Sequence, residues 1–196
     1  YTYALKNSAG SASASLPSGL SFSTTTGQIT GTATVTSTST TYTVLVTDAS
    51  GTTSSKTFAL TVVALPTATQ AIASKTLTAS VAATSFTPVT GANGAPSLTY
   101  SISPDLPSGL SISTSTGAIT GTPSGSSASS TYTVTVTDAL SQTASATFTL
   151  LVNGTFSTTQ AVASNSLYIS VLATAFTPVT TSNGTAPYTF ALRDAY

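Results

Sequence analysis

The chain has 196 residues, 40% of them hydrophobic, enough for one or two domains with packed cores, yet only 4% are charged, against roughly 25% in an ordinary globular protein. A formal charge of zero with four cations leaves no basic stripe for nucleic acid, and no apolar run approaches the ~20 residues that span a bilayer. His, Cys and Glu are absent, so there is neither a base titrating near neutral pH nor a carboxylate pair with separated roles, and no catalytic residue, cofactor site, metal site or enzymatic activity is expected.

The first extended segment is Tyr1-Thr2-Tyr3-Ala4-Leu5, followed by a loop from about Lys6 to Ser15. Leu16-Pro17-Ser18-Gly19-Leu20 comes next. Its proline fixes φ and withholds an amide proton, so the segment reads as a corner between strands whose two leucines plug the interior. Gly27 opens a short strand carrying Ile29, and Gly31 closes it. Tyr42-Thr43-Val44 through Asp48-Ala49 and Thr53 to Val62, with Phe58 and Leu60, then alternate apolar and polar residues with a period of two. That is the pattern of a strand with one buried face.

From Gln70-Ala71 onward the chain supplies a segment ending in Phe86-Thr87-Pro88-Val89-Thr90, then Asn93-Gly94 and Leu98-Thr99-Tyr100. After these the features from Leu16 onward return at a 90-residue interval. Leu106-Pro107-Ser108-Gly109-Leu110 repeats the corner, and Gly117-Ala118-Ile119-Thr120-Gly121-Thr122 the short strand. Tyr132 to Asp138 and Thr143 to Val152 repeat the long strands, with Tyr132, Val134, Val136, Phe148 and Leu150 expected inward. Gln160-Ala161, Phe176-Thr177-Pro178-Val179-Thr180 and Tyr188-Thr189-Phe190-Ala191-Leu192 begin the pattern once more. Asn93-Gly94, Asn153-Gly154 and Asn183-Gly184 supply positive-φ positions for tight turns or bulges. The interval between the first two tyrosine segments is seven residues longer, which places an insertion in the loop from Lys6 to Ser15.

The phase of this repeat divides the chain into 1–63, a partial repeat lacking leading strands; 64–153, a complete repeat; and 154–196, a partial repeat lacking trailing strands. A partial sandwich leaves apolar faces and strand edges unpaired, so further covalent repeats or another copy of the chain are expected to complete both ends. With no 3.6-residue periodicity and about seven short strands per 90 residues, the fold is all-β, a tandem array of Greek-key sandwiches of two antiparallel sheets. No signal peptide is visible and Tyr1 is not an initiator, so the sequence is expected to be mature or internal to a longer polypeptide.

The segments Ala186-Pro187-Tyr188-Thr189-Phe190, Leu106 to Leu110, Gly117 to Pro123 and Tyr132 to Ala139 resemble the immunoglobulin-like repeats, related to cadherin-like modules, of large bacterial surface proteins. They occur in that family's order along essentially the whole chain; Ala33, standing where Pro123 stands in the second repeat, is a departure. The resemblance implies immunoglobulin-like sandwiches serving as stalks, adhesins or filament components. It also raises calcium, which cadherin-like relatives bind at domain junctions. Asp48 and Asp138 end equivalent strands, but Asp105 and Asp194 do not recur and no Asp-x-Asp pair exists. Calcium wants six to eight oxygens, so the two recurring aspartates read as turn residues, with calcium as the alternative.

Lys56 and Lys75 invite a Lys–Asn isopeptide bond, yet Ala146 and Asn165 stand at the equivalent positions, and solvated lysines are expected. Tyr42, Tyr100, Tyr132 and Phe190 could form a carbohydrate platform, but they fall in strand patterns and are expected in the core. Asn153-Gly154-Thr155 and Asn183-Gly184-Thr185 are acceptor patterns for N-glycans, and the Thr-rich faces could carry O-linked sugars. Lys and Glu normally keep sheet edges apart, and net charge keeps proteins from associating; this chain has little of either. The expected role is therefore a secreted or cell-surface structural repeat of a filament, sheath or stalk. It would assemble with copies of itself or with adjacent repeats, by sandwich packing or strand complementation. A passive spacer in a large adhesin is the alternative.

Overall fold

A computed structural model describes residues 1–184 and 187–193, and among these the chain is built of strands and contains no helix. It divides into two compact units. The first comprises Tyr1–Pro66 with Asn93–Pro96, the second Thr67–Ala92 and the chain from Ser97 onward.

In the first unit, β1 (Thr2–Lys6), β4 (Ser37–Thr47) and β5 (Thr53–Val62) form one antiparallel sheet in the order β1-β4-β5, and β2 (Leu20–Phe22) pairs with β3 (Ile29–Gly31). The inserted residues fold back on β1. Gly10 donates to the carbonyl of Asn7 at 2.9 Å, and Lys6 bridges to Ser13. The insertion also satisfies the long strand beneath it. Tyr42 Oη donates to the carbonyl of Ser15 at 3.3 Å, and Thr43 Oγ1 to that of Ser8 at 3.4 Å.

The second unit contains a closed sandwich. Its strands are β6 (Thr67–Gln70), β7 (Ser74–Thr78), β8 (Ala83–Phe86), β9 (Val89–Ala92), β10 (Thr99–Ser103), β11 (Leu110–Ile112), β12 (Ile119–Gly121), β13 (Ser127–Thr137) and β14 (Thr143–Asn153). One sheet runs β10-β13-β14-β7 and the other β11-β12-β8, with β6 paired to β9. The nine segments amount to seven strands, the first two each broken once. The break at Pro88 is local chemistry: proline has no amide for a ladder, and its carbonyl accepts the amides of Ala71 and Ile72 at 2.8 and 3.1 Å. All pairings are antiparallel except that of β7 with β14, which joins the first and last strands of the repeat in parallel.

Alternation along these strands builds the core. Tyr132, Val134 and Val136 from β13 and Phe148, Leu150 and Val152 from β14 are buried, and Leu77, Phe86, Val89 and Ile119 meet them. Fully burying a side chain of this size contributes roughly 1.5–3 kcal/mol. Leu106 and Leu110 pack against this core while partly exposed. Their Pro-Ser-Gly linker is a turn in which Leu110 donates to the carbonyl of Pro107 at 3.1 Å. Gly109 takes φ 93°, and a Cβ there would stand 2.0 Å from the carbonyl oxygen of Thr122, so only glycine fits.

Beyond β14, β15 (Ser157–Gln160) and β16 (Val179–Ser182) pair as β6 and β9 do, with Gln160 opposite Val179 as Gln70 is opposite Val89. Two expectations are corrected here. Asn153-Gly154 is not a positive-φ turn: Asn153 ends β14 in register with Thr78, and the carbonyl of Gly154 accepts the amide of Gly184 at 3.0 Å as that of Ala64 accepts the amide of Gly94 at 3.1 Å. Phe190 is not a core residue. Its counterpart Tyr100 lies in β10 beside β13, whereas Phe190 lies in no strand and is exposed. The other two Asn-Gly pairs do adopt positive φ, at 58° and 76° for Asn93 and Gly94 and 59° and 71° for Asn183 and Gly184.

Candidate functional site

Asp48 and Asp138 close the hairpins that follow the longest strands. Asp48 Oδ1 accepts the Ser50 amide at 2.9 Å, the Ser50 hydroxyl at 2.7 Å and the Thr52 amide at 2.8 Å. The Ser50 hydroxyl, followed by the Thr52 amide, holds the Asp48 carboxyl below the usual carboxylate range. Asp138, buried, accepts the amides of Leu140 and Gln142, both at 2.9 Å, on the same oxygen. Both aspartates serve as acceptors for their own turns. Among the described residues no three acidic or other ligating side chains gather around either; Asp194 lies outside the described residues.

The other candidates are dispersed. Lys56 is exposed on β5, and Lys75 sets its ammonium 5.2 Å from the centroid of the Phe86 ring. Tyr42 and Tyr132 are buried, stacking on Phe58 and Phe148 at 5.5 and 5.6 Å. Tyr100 is half-buried and its hydroxyl accepts the amide of Gly91 at 3.1 Å. Tyr42, Tyr100 and Tyr132 thus lie in the packing, and the four aromatics form no common platform. Asp105 is exposed. Of the two acceptor patterns for N-glycans, Asn153 lies at the end of β14, and Thr185 of the other lies outside the described residues.

What stands out is an open sheet edge with apolar residues behind it. In the closed sandwich β7 lies on the outer edge of β14 and β8 on the outer edge of β12. In the first unit β5 and β3 are the equivalent strands, and among the described residues no strand pairs with their outer edges. Ile29 is consequently 36% exposed where Ile119 is 0%, and Phe58, Leu60 and Val62 are half-buried where their counterparts are buried. The converse occurs in residues 164–176. They repeat the spacing of β7 and β8 but form no strand, and Leu167, Ile169, Leu172 and Phe176 are exposed. Of these four, the sequence motifs mark Phe176 alone, as the counterpart of Phe86. Adding 90 to the buried positions Leu77 and Ala79 gives Leu167 and Ile169 as well.

The model of a family described as Putative Ig domain matches residues 1–63 and 65–153. Among solved structures, the I-band fragment I67–I69 of titin matches with a TM-score of 0.52 at 14% identity, covering 79% of this chain and 56% of the fragment. At that identity the likeness concerns the fold. The N-terminal four Ig domains of Dscam1 isoform 9.44 match with a TM-score of 0.41 at 18% identity, covering 77% of this chain and 36% of that one. The human desmocollin-1 ectodomain matches with a TM-score of 0.37 at 17% identity, covering 77% and 33%. The chain thus spans about half or less of the length of these structures. No curated protein matches it.

Proposed function

Because this chain belongs to the family of Putative Ig domains, we propose that it is a structural repeat of an extracellular filament, sheath or stalk, assembling through its own sandwiches. Residues 1–63 and 154–196 are then portions of further repeats flanking the one at 64–153. The observation that carries this reading is the open edge of β5 and β3, with Ile29, Phe58, Leu60 and Val62 incompletely covered behind it. An edge of this kind is a template for another strand, and proteins that stay apart protect it with charge. Here β3 carries no charge and β5 carries Lys56 alone.

The reading places the chain outside the cell, where a surface of Ser and Thr with few Lys and no Glu suits a matrix or sheath and can carry sugars. Electron microscopy of the native material tests it. Ordered lateral or helical assemblies are expected. Isolated flexible strings without such order would point instead to the passive spacer of a large adhesin.

A further inference from the structure

Resting on that assembly reading, we infer that residues 157–184 of one copy dock into the first unit of a second copy and complete it as residues 67–92 complete the closed sandwich. The closed sandwich supplies both the template and the register. Thr149 pairs with Ser74 and Asn153 with Thr78, in parallel. Ninety positions earlier on β5 and ninety later on the incoming segment, Ala59 takes Ser164, Leu60 Asn165, Thr61 Ser166, Val62 Leu167 and Val63 Tyr168. Likewise Ile119 pairs with Phe86 and Gly121 with Ala83, so Ile29 receives Phe176 and Gly31 receives Ala173.

Three further contacts in the template have donors and acceptors ready in the two halves. Gln70 Nε2 donates to the carbonyl of Thr147, and Gln160 and Thr57 stand at those positions. The Ser80 amide donates to the carbonyl of Pro123 at 2.8 Å, for which Ser170 and Ala33 are the counterparts; only the carbonyl is required, so Ala33 serves as well as proline. Thr149 donates its amide to the carbonyl of Ala73 at 2.9 Å, matched by Ala59 and Ala163.

The donor is also partly shaped in advance. β15 and β16 already pair as β6 and β9 do, and Pro178 accepts the amides of Ala161 and Val162 at 2.8 and 3.1 Å, repeating Pro88. Ser170 holds φ 62° where Ser80 holds 61°. The segment ends at Gly184 because residues 188–192 repeat β1, whose place beside β4 is taken. One position fits less well. Thr181 stands where Gly91 does, and a Cβ on Gly91 would meet Val136 Cγ1 at 2.7 Å. The hairpin must therefore sit slightly off the template there.

The test is a mixed-chain cross-link, unambiguous because the protein has no cysteine. Full-length chains carrying Thr61→Cys and Ser166→Cys are mixed, concentrated and oxidised. Neighbouring strands lie within disulfide reach. The expected result is a two-chain disulfide whose yield rises with concentration, with little product when Thr174→Cys replaces Ser166→Cys. Leu167→Asp is expected to weaken association by about tenfold or more, because it puts a charge where an apolar side chain is to be buried. Thr181→Gly is expected to tighten it several-fold. Leu167 is exposed, so an unchanged thermal transition of the closed sandwich shows that its variant is folded.

Multimers that form without the in-register cross-link, or that survive Leu167→Asp undiminished, would overturn the docking while leaving assembly intact. A chain that remains monomeric at every concentration would overturn both and leave the open face to a covalently preceding segment.

Discussion

Residues 74–86 and 164–176 carry the same pattern 90 positions apart, and they end differently. The first forms β7 and β8; the second forms the turn between them but no strand. The turn survives because it is local: Val81 and Val171 donate to the carbonyls of Thr78 and Tyr168, at 3.3 and 3.4 Å. The ladders do not, because a single strand has no internal hydrogen bonds and forms only against a partner. β14 and β12 are that partner in the closed sandwich. The first unit shows the same dependence from the other side, since its partner edges are present and Phe58, Leu60 and Val62 lose depth for want of what covers Phe148, Leu150 and Val152.

The largest effect should come from removing the ring at the centre of each core. Phe148 packs on Tyr132 and meets Phe86 edge-on at 6.4 Å, while Phe58 stacks on Tyr42 and, among the described residues, on no second ring. Phe148→Ala is expected to cost its sandwich about 3–5 kcal/mol. Phe58→Ala should cost the first unit about 1–2 kcal/mol, because less area is withdrawn from water. Chemical denaturation followed by hydrogen exchange resolved to each unit reads both. Equal costs would mean that the first unit's core is as closed as the second's.

Smaller contrasts sit in the hairpin turns. Asp138→Ala leaves the amides of Leu140 and Gln142 without their acceptor at a buried position and is expected to cost about 1–3 kcal/mol, again by denaturation. Gly51 and Ser141 occupy the same left-handed turn position, at φ 85° and 63°. A Cβ on Gly51 meets nothing within 4 Å, so Gly51→Ser isolates the backbone cost, about 1 kcal/mol. Ser141→Gly should stabilise the second unit by a similar amount.

The smallest effect is electrostatic. The Asp48 carboxyl titrates below its unfolded value, so its contribution is complete above that value, about 3.9, and disappears as pH falls through the lowered folded one. An NMR titration should place its midpoint below that of a free aspartate. Asp48→Asn should remove this part of the first unit's acid sensitivity.

The fold was readable because its determinants are periodic or local. Alternation placed Tyr132, Val134, Val136, Phe148 and Leu150 inward, Pro107-Ser108-Gly109 marked a corner, and the aspartates marked their turns. Phe190 was misplaced because burial depends on a neighbour that its own pattern does not reveal. Asn153-Gly154 has the composition of a turn, yet Asn153 continues β14, because pairing with β7 overrides the local preference. The open edge was visible as a repeat phase, but its residues emerge only when the two copies are laid over the closed sandwich, since pairing is a property of two segments.

The central claim is that β5 and the segment at 164–168 are complementary edges. Hydrogen exchange across a concentration series tests it most directly. In the closed sandwich the amide of Thr149 faces β7, so on β5 the amides of Ala59, Thr61 and Val63 should face the open edge. There the amide of Ala79 donates to the carbonyl of Asn153, so on the incoming segment the amides of Asn165, Leu167 and Ile169 face β5. The account predicts that these and the three on β5 exchange rapidly in dilute chain and become protected together as the concentration rises. Rapid exchange at every concentration, while multimers form, would contradict it.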